Sequence, residues 1–157
     1  MARTKKPTTV DVVVPCFNEE DSLPLFFASY TQLANSHPQY AFNIIVIDNG
    51  SSDSTLKIAK EFISTTKDGI CLELSKNFGK EASLTAGLEA STSELVIPID
   101  ADLQDPIELI PTLIERWEQT DADVVLARRK TRDEDTIFRR TVSALYISVF
   151  RKLSGVD

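Results

Sequence analysis

Asp100-Ala101-Asp102 follows an apolar run, Leu95-Val96-Ile97-Pro98-Ile99, and precedes Leu103-Gln104-Asp105-Pro106. Two carboxylates one residue apart in a turn can approach a divalent cation directly or through water, with phosphate oxygens completing its shell and Gln104 adding a neutral oxygen. Mg2+ or Mn2+ fits such a set better than structural zinc, which would draw on thiolates. The same spacing also suits two hydrated aspartates that cap a turn or the following helix. Asp48-Asn49-Gly50 offers a second choice. A carboxylate at a strand end can accept from a nucleobase N–H, or it can satisfy the donors of its own tight turn; Asn49 keeps an acceptor but adds no second charge. Lys76 and Lys80 bracket a turn-prone stretch in which Gly79 lowers steric obstruction, so they are either phosphate ligands or surface lysines.

Other chemistries lack their residues. There is no Walker sequence, no G-x-G-x-x-G and no G-x-S-x-G elbow. His37 has no ligand spacing or nucleophile partner and reads as a loop residue, while Cys16 and Cys71 have no catalytic dyad and read as core.

The candidates need a scaffold, and apolar periodicity supplies one. Strands are predicted over 9–14, 42–47, 70–74, 95–99 and 124–126, and helices over 20–35, 55–63, 81–91, 107–119 and 137–153. In the first helix Leu23, Phe26, Phe27, Tyr30 and Leu33 recur at helical spacing, with Ser22 and Pro24 at its start; Asp53 stands near the start of the second. Gly87 interrupts the third, which is unfavourable unless a close contact requires it. Alternating strands and helices predict an α/β fold with a mostly parallel sheet and helices on both faces. In such sheets ligands gather at the carboxyl ends of the strands, where Glu19, Asp48, Asp53, Asp100 and Asp102 all fall.

With 157 residues, 42% hydrophobic and 26% charged, the chain has the size and composition of one globular domain, which excludes collagenous and wholly disordered classes. Two cysteines exclude a disulfide scaffold and make a reducing compartment the expectation. The net charge of −7 argues against whole-domain binding to nucleic acid, though not against a local phosphate site. Charge is uneven: residues 1–127 hold 9 basic and 20 acidic side chains, and 128–157 hold 8 and 4. No apolar run approaches the roughly 20 residues that span a bilayer, so the chain is expected to be soluble.

Four motifs in order carry a family resemblance. Val12-Val13-Val14-Pro15-Cys16-Phe17-Asn18-Glu19-Glu20, Val46-Ile47-Asp48-Asn49-Gly50-Ser51-Ser52-Asp53, Leu74-Ser75-Lys76-Asn77-Phe78-Gly79-Lys80-Glu81-Ala82 and Ile99-Asp100-Ala101-Asp102-Leu103-Gln104-Asp105-Pro106 resemble family 2 glycosyltransferases, especially the bactoprenyl-phosphate glucosyltransferase and dolichyl-phosphate mannosyltransferase group. The resemblance implies a truncated glycosyltransferase A-type (Rossmann-like) fold and inverting transfer from a nucleotide-sugar, UDP-glucose or similar, to a polyprenyl phosphate. It assigns catalytic roles to Asp100 and Asp102, and the metal to Asp102 with Gln104. Nucleotide-sugar contacts fall to Pro15, Phe17, Asn18, Glu19, Asp48, Asp53, Lys76, Lys80, Asp100, Ala101 and Asp102. Arg128, Arg139 and Arg140 match a basic stretch suited to the acceptor phosphate, where a guanidinium presents several oriented donors.

Organisation follows. Residues 1–8 are expected as a flexible basic N-terminus, 9–127 as the donor-binding core, and 128–157 as a basic connection and amphipathic helix that begins an acceptor or membrane-proximal region. The implied setting is the cytoplasmic side of a membrane, with contact through the C-terminal or further regions and a homo-oligomer as an open option. The Asp-Asn-Gly turn departs from a common Asp-Asp-Gly pattern. The resemblance reaches Val156-Asp157, whereas relatives usually continue with a Gly-Asp-Phe-Arg-Leu-like segment. Two other readings therefore stand beside the polyprenyl-phosphate enzyme: a catalytically incomplete nucleotide-sugar-binding module, and a soluble transferase acting on a glycan or lipid.

Overall fold

The computed structural model describes residues 7–66 and 68–127. β-Branched runs form β1 (Thr8–Cys16) and β2 (Tyr40–Asp48); β3 (Gly69–Glu73) and β4 (Leu95–Pro98) are shorter. Helices α1 (Leu23–Ser36), α2 (Thr55–Thr65) and α3 (Lys80–Ala90) connect them, and a 3-10 turn (Ile107–Leu109) leads into α4 (Ile110–Glu118). The four strands are all parallel, in the order β3-β2-β1-β4. The α/β class, the parallel sheet and all four of these strands are as the sequence predicts.

Strand order decides where a ligand can enter. The chain steps outward from β1 to β3, then crosses back over the sheet through α3 to place β4 on the other side of β1. Right-handed crossovers put the outward helices on one face and the returning helix on the other. Period-two alternation matches this: Val10, Val12, Val14, Ile44 and Val46 pack with Phe26, Phe27 and Ile114 on one face, while Val13, Ile45 and Ile47 meet Leu84 on the other. Phe27 and Phe62 stack at 3.9 Å between α1 and α2. Gly87 proves to be a close approach, since a Cβ there would stand 2.4 Å from Val13 Cγ1 and 2.8 Å from Ile47 Cδ1.

The opposite, amino-terminal end of the sheet is pinned by Asp11, whose carboxylate accepts from Asn43 Nδ2, Ser91 Oγ, Thr92 N, Ser93 N and Ser93 Oγ at 2.6–3.1 Å. Burial alone would raise its pKa, but hydrogen bonds from Ser91, Ser93, Asn43 and Thr92 outweigh it and hold the group at about 2.

Three expectations change. The first helix starts at Leu23 rather than 20, because residues 17–22 form a loop committed to other partners, with Asn18 at φ 55°. The fourth helix opens with a 3-10 turn: Pro111 has no N–H to give the carbonyl four residues back, and Ile110 N bonds Ile107 O instead. Residues 124–126 are not a strand, because a strand exists through a hydrogen-bonded neighbour and the four-stranded sheet does not include them. Residues through Asp121 form one compact unit, and the chain from Ala122 belongs to a second. The helix predicted at 137–153, Arg128, Arg139 and Arg140 lie outside the described residues. Among the described residues no helix is long and apolar enough to cross a membrane.

Candidate functional site

A parallel sheet whose strand order reverses leaves a crevice between the two loops that depart in opposite directions. Here that point lies between β1 and β4. The ladder joining them runs only from Val10 to Val13, so the last residues of β1 have β2 alone as neighbour. Val13 O accepts from Ile99 N, and two residues on, Pro15 presents the same edge of its backbone to the open side. A proline costs no ladder bond there, and its carbonyl faces the crevice.

The crevice is a cleft of about 330 Å³ lined by Pro15, Cys16, Phe17 and Glu19 after β1, Asn49 after β2, Asn77, Gly79, Lys80 and Ser83 around the start of α3, and Asp100, Ala101 and Asp102 after β4. Of the expected site residues it thus brings together Pro15, Phe17, Glu19, Lys80, Asp100, Ala101 and Asp102. Phe17 is 42% exposed and adds a flat apolar side chain to the cleft lining. Lys80 Nζ lies 2.6 Å from Asp100 Oδ2, and this contact raises the ammonium pKa. Asp102 Oδ1 accepts from Gln104 N at 3.0 Å, bridged by Leu103 at φ 59°. A left-handed leucine costs about 1 kcal/mol, so the turn that presents Asp102 is held against local preference.

Acidic groups converge. The buried Cys16 thiol is pushed far up, first by desolvation and then by Glu19 and Asp48, with Asp100 adding to the effect. It is therefore an inert wall, not a nucleophile. Among the described residues no group of three or more His, Cys, Asp or Glu is arranged to hold a metal ion. Asp100 and Asp102 nevertheless suit Mg2+ or Mn2+ in the manner of enzymes that bind the ion through one or two carboxylates plus substrate phosphates.

Asp48 is 1% exposed; Oδ2 accepts from Ser51 N at 3.1 Å, and Oδ1 is buried with no hydrogen-bond partner among the described residues. It is not among the residues that line the cleft. Asn18 and Asp53 tie loops together: Asn18 N donates to Ser51 Oγ, Asn18 Oδ1 accepts from Ser52 N, and Asp53 accepts from Glu20 N and Thr55 N. With Glu19 N on Thr55 Oγ1 at 2.7 Å, these bonds fix the loop after β1 onto the loop after β2. Lys76 lies over the Phe78 ring at 5.1 Å and is not on the cleft wall; Gln104 gives its backbone N–H to Asp102.

Sequence reasoning gave Asn49, Asn77 and Ser83 no site role. A signal existed for Asn77, because Asn-x-Gly favours the side-chain turn that it makes to Gly79 N at 2.9 Å.

Comparison with known proteins gives this cleft its family. The family described as Glycosyl transferase family 2 matches residues 11–155. The chain belongs to glycosyl transferase family 2. It is 41% identical over 145 residues to a bactoprenol glucosyl transferase of Shigella phage SfX, covering 92% of this chain and 47% of that protein. It is 35% identical over 156 residues to an undecaprenyl-phosphate 4-deoxy-4-formamido-L-arabinose transferase of Proteus mirabilis, covering 99% and 47%. The chain spans about half the length of these curated relatives. Its fold is similar to a mannosyltransferase from Pyrobaculum calidifontis in complex with GDP-Man and Mn2+, with TM-score 0.61 and 21% identity over 75% of this chain and 34% of that one. The fold is thus the glycosyltransferase A type, and the four sequence motifs pointed to the right family.

Proposed function

We propose that the chain carries the donor and metal half of an inverting glycosyltransferase that moves a sugar from a nucleotide-sugar to a polyprenyl phosphate. The observation that carries this reading is the cleft at the β1/β4 switch point, where Glu19, Lys80 and the pair Asp100 and Asp102 meet from three separate segments. Family membership and the acceptors named for the relatives support it.

In this reading residues 9–127 form the donor core, Phe17 and Glu19 border the nucleoside, and Asp48 Oδ1 accepts from the base once donor binding uncovers it. Asp102 with Gln104, and Asp100 beside them at the sugar-phosphate, would hold Mg2+ or Mn2+ together with the donor diphosphate, and the ion would supply positive charge against the departing group. Lys80 adds a second positive group on the same wall, where its ion pair with Asp100 sets the ammonium beside the diphosphate. An acceptor phosphate oxygen bonds the anomeric carbon as the bond to the diphosphate breaks, its electron pair leaving with the nucleoside diphosphate. The acceptor is anionic at neutral pH, so no strong base is required. Arg128, Arg139 and Arg140 serve the acceptor phosphate, at the cytoplasmic face of a membrane.

Calorimetric titration of the chain with UDP, GDP and their sugar conjugates in Mn2+ tests the reading. One nucleotide is expected to bind only with the metal, and Asp102→Ala is expected to weaken it by at least about tenfold. A folded chain that binds none of them overturns the donor site; binding then licenses a turnover assay with polyprenyl phosphate.

A further inference from the structure

The turn after β2 and the loop before α3 are joined by amides rather than charges. Asn49, 4% exposed, accepts from Phe78 N through Oδ1 and donates from Nδ2 to Asn77 Oδ1, both at 3.0 Å. The same Asn77 oxygen accepts from Gly79 N at 2.9 Å. Backbones also meet here: Gly50, at φ +71°, would place a Cβ 2.5 Å from the Lys76 carbonyl carbon. Directly after Gly79, Lys80 begins α3 and reaches Asp100 Oδ2 at 2.6 Å. A continuous path therefore runs from the end of β2, through Asn49, Asn77 and Gly79, to the cation on the far wall of the cleft.

Only one arrangement of the two amides satisfies this path. Reversing Asn49 would set its NH2 against the Phe78 N–H, and reversing Asn77 would set its NH2 against the Gly79 N–H. A carboxylate at position 49 could still accept from Phe78, but its second oxygen would face Asn77 Oδ1 with no proton between them. A carboxylate at position 77 meets no such conflict, since Asn77 uses only its oxygen in these bonds.

We propose that Asn49 is a positioning residue which, acting through Asn77, sets Lys80 against Asp100 on the cleft wall and so governs the grip on the donor's diphosphate. The role in diphosphate binding rests on the function proposed above; the setting of Lys80 does not. It also gives a physical reason for an amide where the family resemblance leads one to expect a second aspartate.

Asn49→Asp and Asn77→Asp make the test, because each adds one negative charge at positions whose side chains already touch, yet only the first opposes two acceptors. Competitive acetylation at limiting reagent, read by mass spectrometry, reports Lys80 relative to Lys57, whose side chain is 77% exposed. An ammonium held on a carboxylate yields less free amine and reacts more slowly. Asn49→Asp is expected to raise the Lys80 ratio by at least about threefold and to weaken nucleotide-sugar binding about tenfold, while Asn77→Asp leaves the Lys80 ratio within about twofold of the parent. If circular dichroism shows Asn49→Asp unfolded, Asn49→Ala carries the same measurement and is expected to shift both quantities in the same direction. Unchanged Lys80 labelling in the folded Asn49 variant, or an equal rise of the Lys80 ratio in both aspartate variants, overturns the inference. If the parent chain binds no nucleotide-sugar, the donor reading and the grip fall, and the labelling ratio still decides whether Asn49 sets Lys80.

Discussion

Asp11 and Asp48 are buried carboxylates near opposite ends of the same sheet, 3% and 1% exposed. Asp11 receives five donors and closes the turn between α3 and β4 onto β1 and β2. Asp48 receives Ser51 N on one oxygen, and its other oxygen has no donor among the described residues. A buried acceptor left without a donor is costly and rare, so it marks a place where the fold tolerates a loss for another purpose. A carboxylate saturated by its own chain is architecture; in the function proposed above, the one with an oxygen to spare is the acceptor for the base.

Breaking the saturated end should have the largest effect. Asp11→Ala leaves two serine hydroxyls, an asparagine amide and two backbone N–H groups without their acceptor, and is expected to cost about 3 kcal/mol in urea unfolding. Donor affinity in the folded fraction should stay within about twofold, since the cleft lies at the other end. The same group sets the acid limit. Its pKa is about 2 in the fold against about 3.9 unfolded, so its contribution is full above pH ~5 and is lost as pH falls toward 2. Roughly 2 kcal/mol of stability should disappear across that window, and Asp11→Asn should flatten the unfolding profile there. A profile as steep as the parent's would show that other carboxylates carry the acid transition.

At the open end the balance should reverse. Asp48→Asn keeps an oxygen for Ser51 N and is expected to change stability by less than about 1 kcal/mol, while weakening nucleotide binding about tenfold. A variant that loses stability but not affinity would make Asp48 a turn residue and erase the contrast with Asp11.

How the two ends read from sequence differs for a physical reason. Strands and helices were legible because burial imposes a period: Val12, Val14, Ile44 and Val46 alternate with Val13, Ile45 and Ile47 between the two faces. The acidic site residues were legible because strand ends are short and Asp48 and Asp100 follow apolar runs directly. What stayed hidden depends on contacts between distant segments. Nothing near Asn18 announces Ser51 and Ser52, nothing near Asp11 announces residues 91–93, and the pairing of Asn49 with Asn77 needs the loops after β2 and β3 to be already adjacent. Residues 124–126 show the converse error, an apolar triplet whose strand propensity finds no neighbour among the described strands.

The smallest effect gives the sharpest contrast. Lys60–Glu73 and Lys80–Asp100 are nearly the same interaction, 2.7 and 2.6 Å long with lysine side chains 55% and 56% exposed. Exposed pairs of this kind add little to folding, because solvent screens them and two long side chains must be held still. Lys60→Met and Lys80→Met should therefore each leave the melting temperature within about 2 °C of the parent. Lys60 joins α2 to the edge strand β3, away from the residues that line the cleft, so its loss should not alter nucleotide-sugar affinity. Lys80 faces the cleft, so its loss should weaken that affinity several-fold, on the order of fivefold, and calorimetry in Mn2+ should show the two variants diverging there alone. Equal affinities in both would mean that the Lys80 contact, like its twin on the sheet edge, is only a surface ion pair.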